Sequence, residues 1–190
     1  VVGSYALFAG GASSYNLLGY YDGLVGSVDA YNASLTRSAA HIFGDTAAIG
    51  GAAVGNYALF AGGTWDMQIN DDNVISGVLA YDPSLTFTIA PDLSVARADV
   101  KGASVGNYAL FAGGKASSKC KTVDAYNASL TRTTAAALSS VENNSAAATV
   151  GNHAIFVGNT ASADIYDASL TKTSAAILST ARTGLAATTV

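Results

Sequence analysis

The chain has 190 residues, half of them apolar, with 9 basic and 13 acidic side chains and a net charge of −4. That is enough apolar matter for a sizeable core, while so sparse and slightly negative a charge excludes the electrostatic footprint of a nucleic-acid binder. Cys120, the one cysteine, excludes an intrachain disulfide and a thiolate metal cage, and no apolar run reaches the ~18 residues of a membrane-spanning helix.

From the amino end, "VVGSYALFAGG" predicts the close of one strand at Val1 and Val2, a turn at Gly3 and Ser4, and a second strand that stops at Gly10 and Gly11. Short apolar runs joined by two residues with glycine or asparagine signal a hairpin. Paired glycines break the strand and let another backbone come close. Because the chain opens inside a phrase and without a methionine, it reads as a fragment or processed piece. A long loop follows, "ASSYNLLGYYDGLVGS". Then "VDAYNASLTR", from Val28, predicts a third strand, a turn in which Asn32 bonds its own backbone, and a fourth strand.

The same order returns three times. "VGNYALFAGG" begins at Val54 and again at Val105, and "VGNHAIFVGN" begins at Val150. The third-strand phrase recurs as "VLAYDPSLTF" from Val78, "VDAYNASLTR" from Val123 and "ADIYDASLTK" from Ala163. The repeats therefore run 1–53, 54–104, 105–149 and 150–190. Segments such as "TTAAALSS" have the weakest strand propensity, since alanine favours helix. Runs this short, interrupted by Gly and Asn, are still too brief for helices.

One such sheet cannot bury both faces by itself, whereas sheets stacked side by side can. "YALFAG" is accordingly apolar throughout rather than alternating. The expected fold is all-β: a β-propeller of four antiparallel four-stranded blades. It is either part of a larger propeller or a closed four-blade ring, in which "LAATTV" (185–190) fills the strand the first unit lacks.

These residues resemble Kelch repeats. The double glycine stands at Gly10-Gly11, Gly62-Gly63 and Gly113-Gly114, and in altered form at Gly158-Asn159. The tyrosine before a turn stands at Tyr31, Tyr81, Tyr126 and Tyr166. Arg97 and Arg182 match the family's arginine, where the other two units have Thr46 and Glu142. The family's tryptophan after the turn is absent: Arg37, Phe87, Arg132 and Lys172 lie near that place. The wording is similar to Kelch-like repeats in bacteriophage structural and tail proteins and in bacterial surface proteins. The resemblance implies an extracellular or virion-associated location.

Function is expected where the units differ. The loops after the double glycine vary most, and in a propeller they share one face with the segments joining units. The first carries Tyr15, Tyr20, Tyr21 and Asp22. The second carries Trp65, Asp66, Asn70, Asp71, Asp72 and Asn73, and the third Lys115 and Lys119. Aromatic platforms beside carboxylates and amides suit a sugar or a protein surface. The competing expectation is that these aromatics merely pack the longer loops. "NDDN" (70–73) lacks calcium-loop spacing and reads as a solvated acidic turn.

The Kelch resemblance brings in copper oxidases with Tyr, His and Cys ligands. Here His41, His153 and Cys120 fall in separate units, so no metal site and no cofactor is expected. No Ser-His-Asp set can be argued. The sequons at Asn32, Asn127 and Asn143 are better explained by turns at the first two, where sister units have aspartate. The expectation is a non-enzymatic module that presents variable loops to a cell-surface glycan or protein, with other chains as possible completing partners and no membrane insertion. The alternatives are a structural repeat of a virion or filament and an intracellular Kelch adaptor.

Overall fold

A computed structural model describes residues 2–15, 21–40, 44–66, 69, 71–140, 146–158, 160–174, 176, 178–182 and 184–188, with the side chains of 15, 21 and 22 outside the description. The described residues are strands, turns and connections. No helix among them is long and apolar enough to cross a membrane.

In chain order, β1 (Ala6–Ala9) leads to a separate hairpin of β2 (Ala12–Tyr15) and β3 (Tyr21–Leu24), then to β4 (Val28–Tyr31) and β5 (Arg37–Ala40). The first sheet is three-stranded, ordered β1-β4-β5. The second holds β6 (Gly50–Val54), β7 (Tyr57–Ala61), β8 (Val78–Tyr81) and β9 (Phe87–Ala90) in sequence order. The third holds β10 (Lys101–Val105), β11 (Tyr108–Ala112), β12 (Val123–Asn127) and β13 (Arg132–Ala135). The fourth holds β14 (Ala146–Val150), β15 (His153–Val157), β16 (Ala163–Asp167) and β17 (Lys172–Ser174). The pairings among the described residues are antiparallel, and the second, third and fourth sheets are up-and-down meanders.

Two features depart from expectation. The first sheet has three strands among the described residues rather than four, and residues 185–188 lie outside any strand. The first variable loop is not plain loop: it forms the β2–β3 hairpin, with Tyr15 opposite Tyr21 and Ser14 opposite Asp22. Its Ser- and Gly-rich run shows no apolar alternation, so sequence gave no strand signal there.

The local rules act as written in the residues. Gly55, Gly106 and Gly151 lead the two-residue hairpin turns at φ near the left-handed region (54°, 51° and 53°), which only glycine enters without strain. The Asx turns recur in every sheet. Asn32 Oδ1 accepts from the Ser34 and Thr36 amides at 3.0 and 2.9 Å, and Asn127 Oδ1 from Ser129 and Thr131 at 3.0 and 3.0 Å. Asp82 and Asp167 do the same for Ser84 and Thr86, and for Ser169 and Thr171. The amide oxygens of Asn32 and Asn127 are thus committed to turns.

The sheets pack face to face. One side of the second, third and fourth sheets carries a Phe–Tyr pair that enters the aliphatic side of the sheet before it. Phe60 and Tyr81 meet Leu7 and Val28, and Phe111 and Tyr126 meet Leu59 and Val78. Phe156 and Tyr166 meet Leu110 and Val123. The rings of each pair touch edge to face, at 5.9, 5.8 and 5.8 Å between centroids. Strand β10 lies between β6 and β14. There Ser104 Oγ donates to the Ala53 carbonyl at 2.6 Å, and Thr149 Oγ1 donates to the Ser104 carbonyl at 2.6 Å. A Cβ on Gly102 would stand 2.2 Å from the Gly51 carbonyl, so small residues set this close approach. These strands, with Leu7, Ala187 and Thr188, border a cavity of about 390 Å³.

Candidate functional site

The variable loops are held by backbone before any side chain enters. The double glycine of the second sheet turns at φ 67° and 119°, and Gly63 donates to the Arg97 carbonyl at 2.9 Å. A Cβ on Gly62 would meet that carbonyl at 2.4 Å, so glycine permits the joining segment to cross over the strand end. Thr64 exchanges two backbone bonds with Ala47, each 3.0 Å, and Lys115 exchanges two with Ala98, each 2.9 Å. The loop after the second strand and the segment joining sheets are therefore one surface.

Arg97 anchors it. Its side chain is fully buried, and its guanidinium donates to the carbonyls of Gly113 (2.8 Å), Val95 (2.9 Å) and Phe111 (3.2 Å) and to Asp124 Oδ2 (2.9 Å). Asp124 also accepts from Ser94 N and Oγ at 3.2 and 3.1 Å and from Arg132 at 3.0 Å. A buried charge held by four hydrogen bonds positions a loop and is costly to break. Burial, then the Asp124 carboxylate, hold the Tyr126 phenol above its ordinary pKa. Its hydroxyl donates to the Pro91 carbonyl at 2.8 Å.

On this frame, Trp65 is 56% exposed although its amide is bound to the Asn73 carbonyl at 3.1 Å. Asp66 is half-buried on the same turn and Asp72 is exposed. Asp71 reaches across to the third sheet's loop, where its carboxylate accepts from the Ser117 amide at 3.0 Å and from the Ser117 hydroxyl. The Ser117 hydroxyl, then its amide, hold Asp71 below the ordinary carboxylate value, so it stays anionic. Between the two loops lies a cleft of about 330 Å³, with Asp71, Val95, Arg97, Ser118, Lys119 and Cys120 among its walls. Lys115 leans towards Asp99, at 3.7 Å.

The structure thus joins Asp71 and Lys119 across one cleft and keeps Trp65, Asp66 and Asp72 on the adjoining loop. Asn73 is buried, 2% exposed, and its carbonyl also takes the Thr64 hydroxyl at 3.0 Å, which makes it part of the support and not of the surface. Tyr15, Tyr21 and Asp22 lie on the β2–β3 hairpin, their side chains outside the description, and Tyr20 and Asn70 lie outside the described residues. Sequence reasoning missed Val95 and Cys120 as cleft walls and Asp124 as the partner of Arg97. The only signal was the recurrence of "VDAY", in which one unit writes Leu79 for the aspartate. His153 is exposed in the hairpin opposite Val150 and Asp167, far along the strands from the double glycine. Among the described residues no three His, Cys, Asp or Glu side chains come together as a metal cage would require.

The fold defines a class: an all-β protein of antiparallel three- and four-stranded sheets in series. No family model matches the chain, and no curated protein matches it. Solved structures do, 141 chains in all, so the fold is a common one and by itself carries no activity. One of them, the structure of YjhT, superposes with a TM-score of 0.76 at 14% identity, over 98% of this chain and 72% of that one.

Proposed function

We propose that this chain is a Kelch-like β-propeller, or a four-blade portion of one, that recognises a cell-surface glycan or protein through its variable-loop face and catalyses nothing. The propeller reading is supported by the common cavity on which the sheets converge at β6, β10, β14 and Leu7. The recognition reading is carried by one observation. Trp65, the only tryptophan, stands 56% exposed beside a loop that Asp71 clasps to its neighbour. An aromatic plane on a fixed frame binds at little entropic cost, and Asp71 and Lys119 offer an acceptor and a donor for hydroxyls or a polar protein surface. The setting that fits is a phage fibre or a bacterial surface.

The test is binding on a glycan and cell-surface array with Trp65→Ala and Lys119→Ala. Trp65→Ala is expected to abolish capture, and Lys119→Ala to weaken it about tenfold, while both leave the melting temperature within about 2 °C, as surface changes do. Unchanged capture with either variant rejects the loop face. The structural reading, a module that builds a filament or virion without a ligand, is favoured by the exposed Phe8 and Leu35 on the first sheet.

A further inference from the structure

Two exposed apolar side chains stand on the loop face where other sheets write small or polar residues. Thr64 exchanges backbone bonds with Ala47 as Lys115 does with Ala98, so Trp65 occupies the place that Ala116 holds in the third sheet. Leu93 donates to the Ser76 carbonyl at 2.8 Å, as Leu138 does to Lys121 at 2.9 Å and Leu178 to Ala161 at 2.9 Å, so Val95 matches Ser140 and Thr180. Val95 is 48% exposed and Trp65 56%. They flank one strip of backbone. The Trp65 amide donates to the Asn73 carbonyl at 3.1 Å, and the Arg97 amide, two residues beyond Val95, donates to the Ile75 carbonyl at 3.1 Å. The scaffold accepts alanine at one place and serine or threonine at the other, so turn geometry does not call for an aromatic ring or a valine. Apolar surface kept in solvent on a held frame marks a contact surface.

Charge is divided across the same face. From residue 38 to residue 96 the sequence holds six aspartates and no lysine or arginine. Asp82 closes a turn at the other end of the strands from the double glycine. The other five, Asp45, Asp66, Asp71, Asp72 and Asp92, lie on the loop and joining segments around Trp65 and Val95, and all but the half-buried Asp66 are exposed. The lysines of this face belong to the third sheet's loop, across the cleft. Lys115 leans on Asp99 at 3.7 Å, and Lys121 donates to the Ser139 carbonyl at 2.9 Å. The cleft of about 330 Å³, with Asp71 and Lys119 among its walls, is therefore a boundary. The side that carries Trp65 is anionic.

We propose that the partner of this surface is a basic segment of another protein, with an arginine or lysine side chain stacked on Trp65 and an apolar neighbour against Val95. The inference rests on the loop-face reading and narrows it from a glycan or protein to one chemistry. Charge complementarity chooses the occupant. A cation is drawn to the face of an indole ring and to the carboxylates around it. A carboxylated or sulfated glycan is repelled by the same carboxylates, and a neutral glycan gains nothing from their charge. The aspartates also act before contact: an anionic sector around an apolar centre speeds the encounter with a cationic segment, and salt screens that gain. Lys119, on the far wall of the cleft, donates to a backbone carbonyl of the segment, and its own charge keeps the segment's cations on the Trp65 side.

The experiment is capture of short labelled peptides by the full chain, followed by biolayer interferometry beside a glycan array. The probes are a peptide of alternating arginine and tyrosine and its Arg→Gln and Arg→Glu analogues. Capture of the arginine peptide in preference to both analogues is expected, weakening at least about tenfold between about 50 and about 500 mM salt. Trp65→Ala is expected to abolish it. Asp72→Asn is expected to slow association about threefold, while Asp82→Asn, which removes an equal charge from the opposite rim, leaves it unchanged. Melting temperatures within about 2 °C of the wild type check that the variants fold. An arginine peptide that is not captured overturns the proposal. So does capture that Asp72→Asn and Asp82→Asn weaken alike. Capture of a glycan that Trp65→Ala abolishes, but that salt and Asp72→Asn leave alone, keeps the loop face and overturns the basic partner. Capture of the arginine peptide that Trp65→Ala leaves intact overturns both.

Discussion

The letters "YALFA" stand at 5–9, 57–61 and 108–112, and they do not have the same fate. In the third sheet Leu110 and Phe111 are 0% exposed, whereas in the first sheet Phe8 is 63% exposed. Likewise "VDAYNASLTR" is written identically at 28–37 and 123–132, yet Tyr126 is sealed and Tyr31 is 37% exposed. Local structure is the same in both places: the strands pair and the Asx turns close with the same bonds. What differs is the neighbour. The third sheet has one on each side, and among the described residues the first has one on its aliphatic side only. Strand identity is thus encoded within a unit, and burial is supplied between units, as expected of a repeat array.

The comparison is broken most sharply at the paired aspartates. Asp124→Ala strands the Arg97 guanidinium in a site with no solvent exposure and is expected to cost about 3–5 kcal/mol. Asp29→Ala removes only an exposed partner of Arg37 and is expected to stay within about 0.5 kcal/mol in the monomer. Urea unfolding at a concentration below any self-association reads both. Equal losses would mean that the first sheet is as enclosed as the third.

A smaller difference is expected at the tyrosines. Tyr126→Phe leaves the Pro91 carbonyl without its 2.8 Å donor, for a loss of about 1–2 kcal/mol. Tyr31→Phe gives up a hydroxyl on an exposed ring and is expected to change stability by less than about 0.5 kcal/mol. The same unfolding experiment checks the pair, and a loss at Tyr31 that matched Tyr126 would place an unseen cover over the first sheet.

This contrast also explains how far the residues could be read. Whatever is decided within a few positions was legible: glycine-led hairpins, double glycines under a crossing backbone, and Asn or Asp closing the turn after each tyrosine. The loop cluster was legible as the place of greatest variation, and Trp65 proved exposed there. What links distant positions was not. Arg97 finds Asp124 across a sheet junction, and Asn73 turns inward although it belongs to an acidic, polar run. The β2–β3 hairpin escaped notice because serine and glycine give no alternation to follow. That the first unit lacks a strand was legible in its opening phrase, but that residues 185–188 would not supply it was not, nor was the exposure of Phe8: an identical phrase cannot state what stands beside it.

The finest distinction lies among the turns, where the second and fourth sheets use aspartate and the first and third use asparagine. The Ser84 and Ser169 hydroxyls, helped by backbone amides, hold Asp82 and Asp167 below the ordinary carboxylate value of 3.8. A carboxylate whose folded pKa is depressed stabilises the fold above its unfolded pKa, and that contribution is lost as pH falls through the folded value. Asn32 and Asn127 make the same bonds to backbone amides and do not titrate. Acidification from about pH 5 to about pH 2 should therefore loosen the turns at 82–86 and 167–171 and spare those at 32–36 and 127–131. Amide exchange at Ser84, Thr86, Ser169 and Thr171, set against Ser34, Thr36, Ser129 and Thr131, measures this directly. Asp82→Asn should make its turn indifferent to acid. If all four turns respond together, acid acts on the packing between sheets, and the turn carboxylates are not the point at which the second and fourth sheets differ from the others.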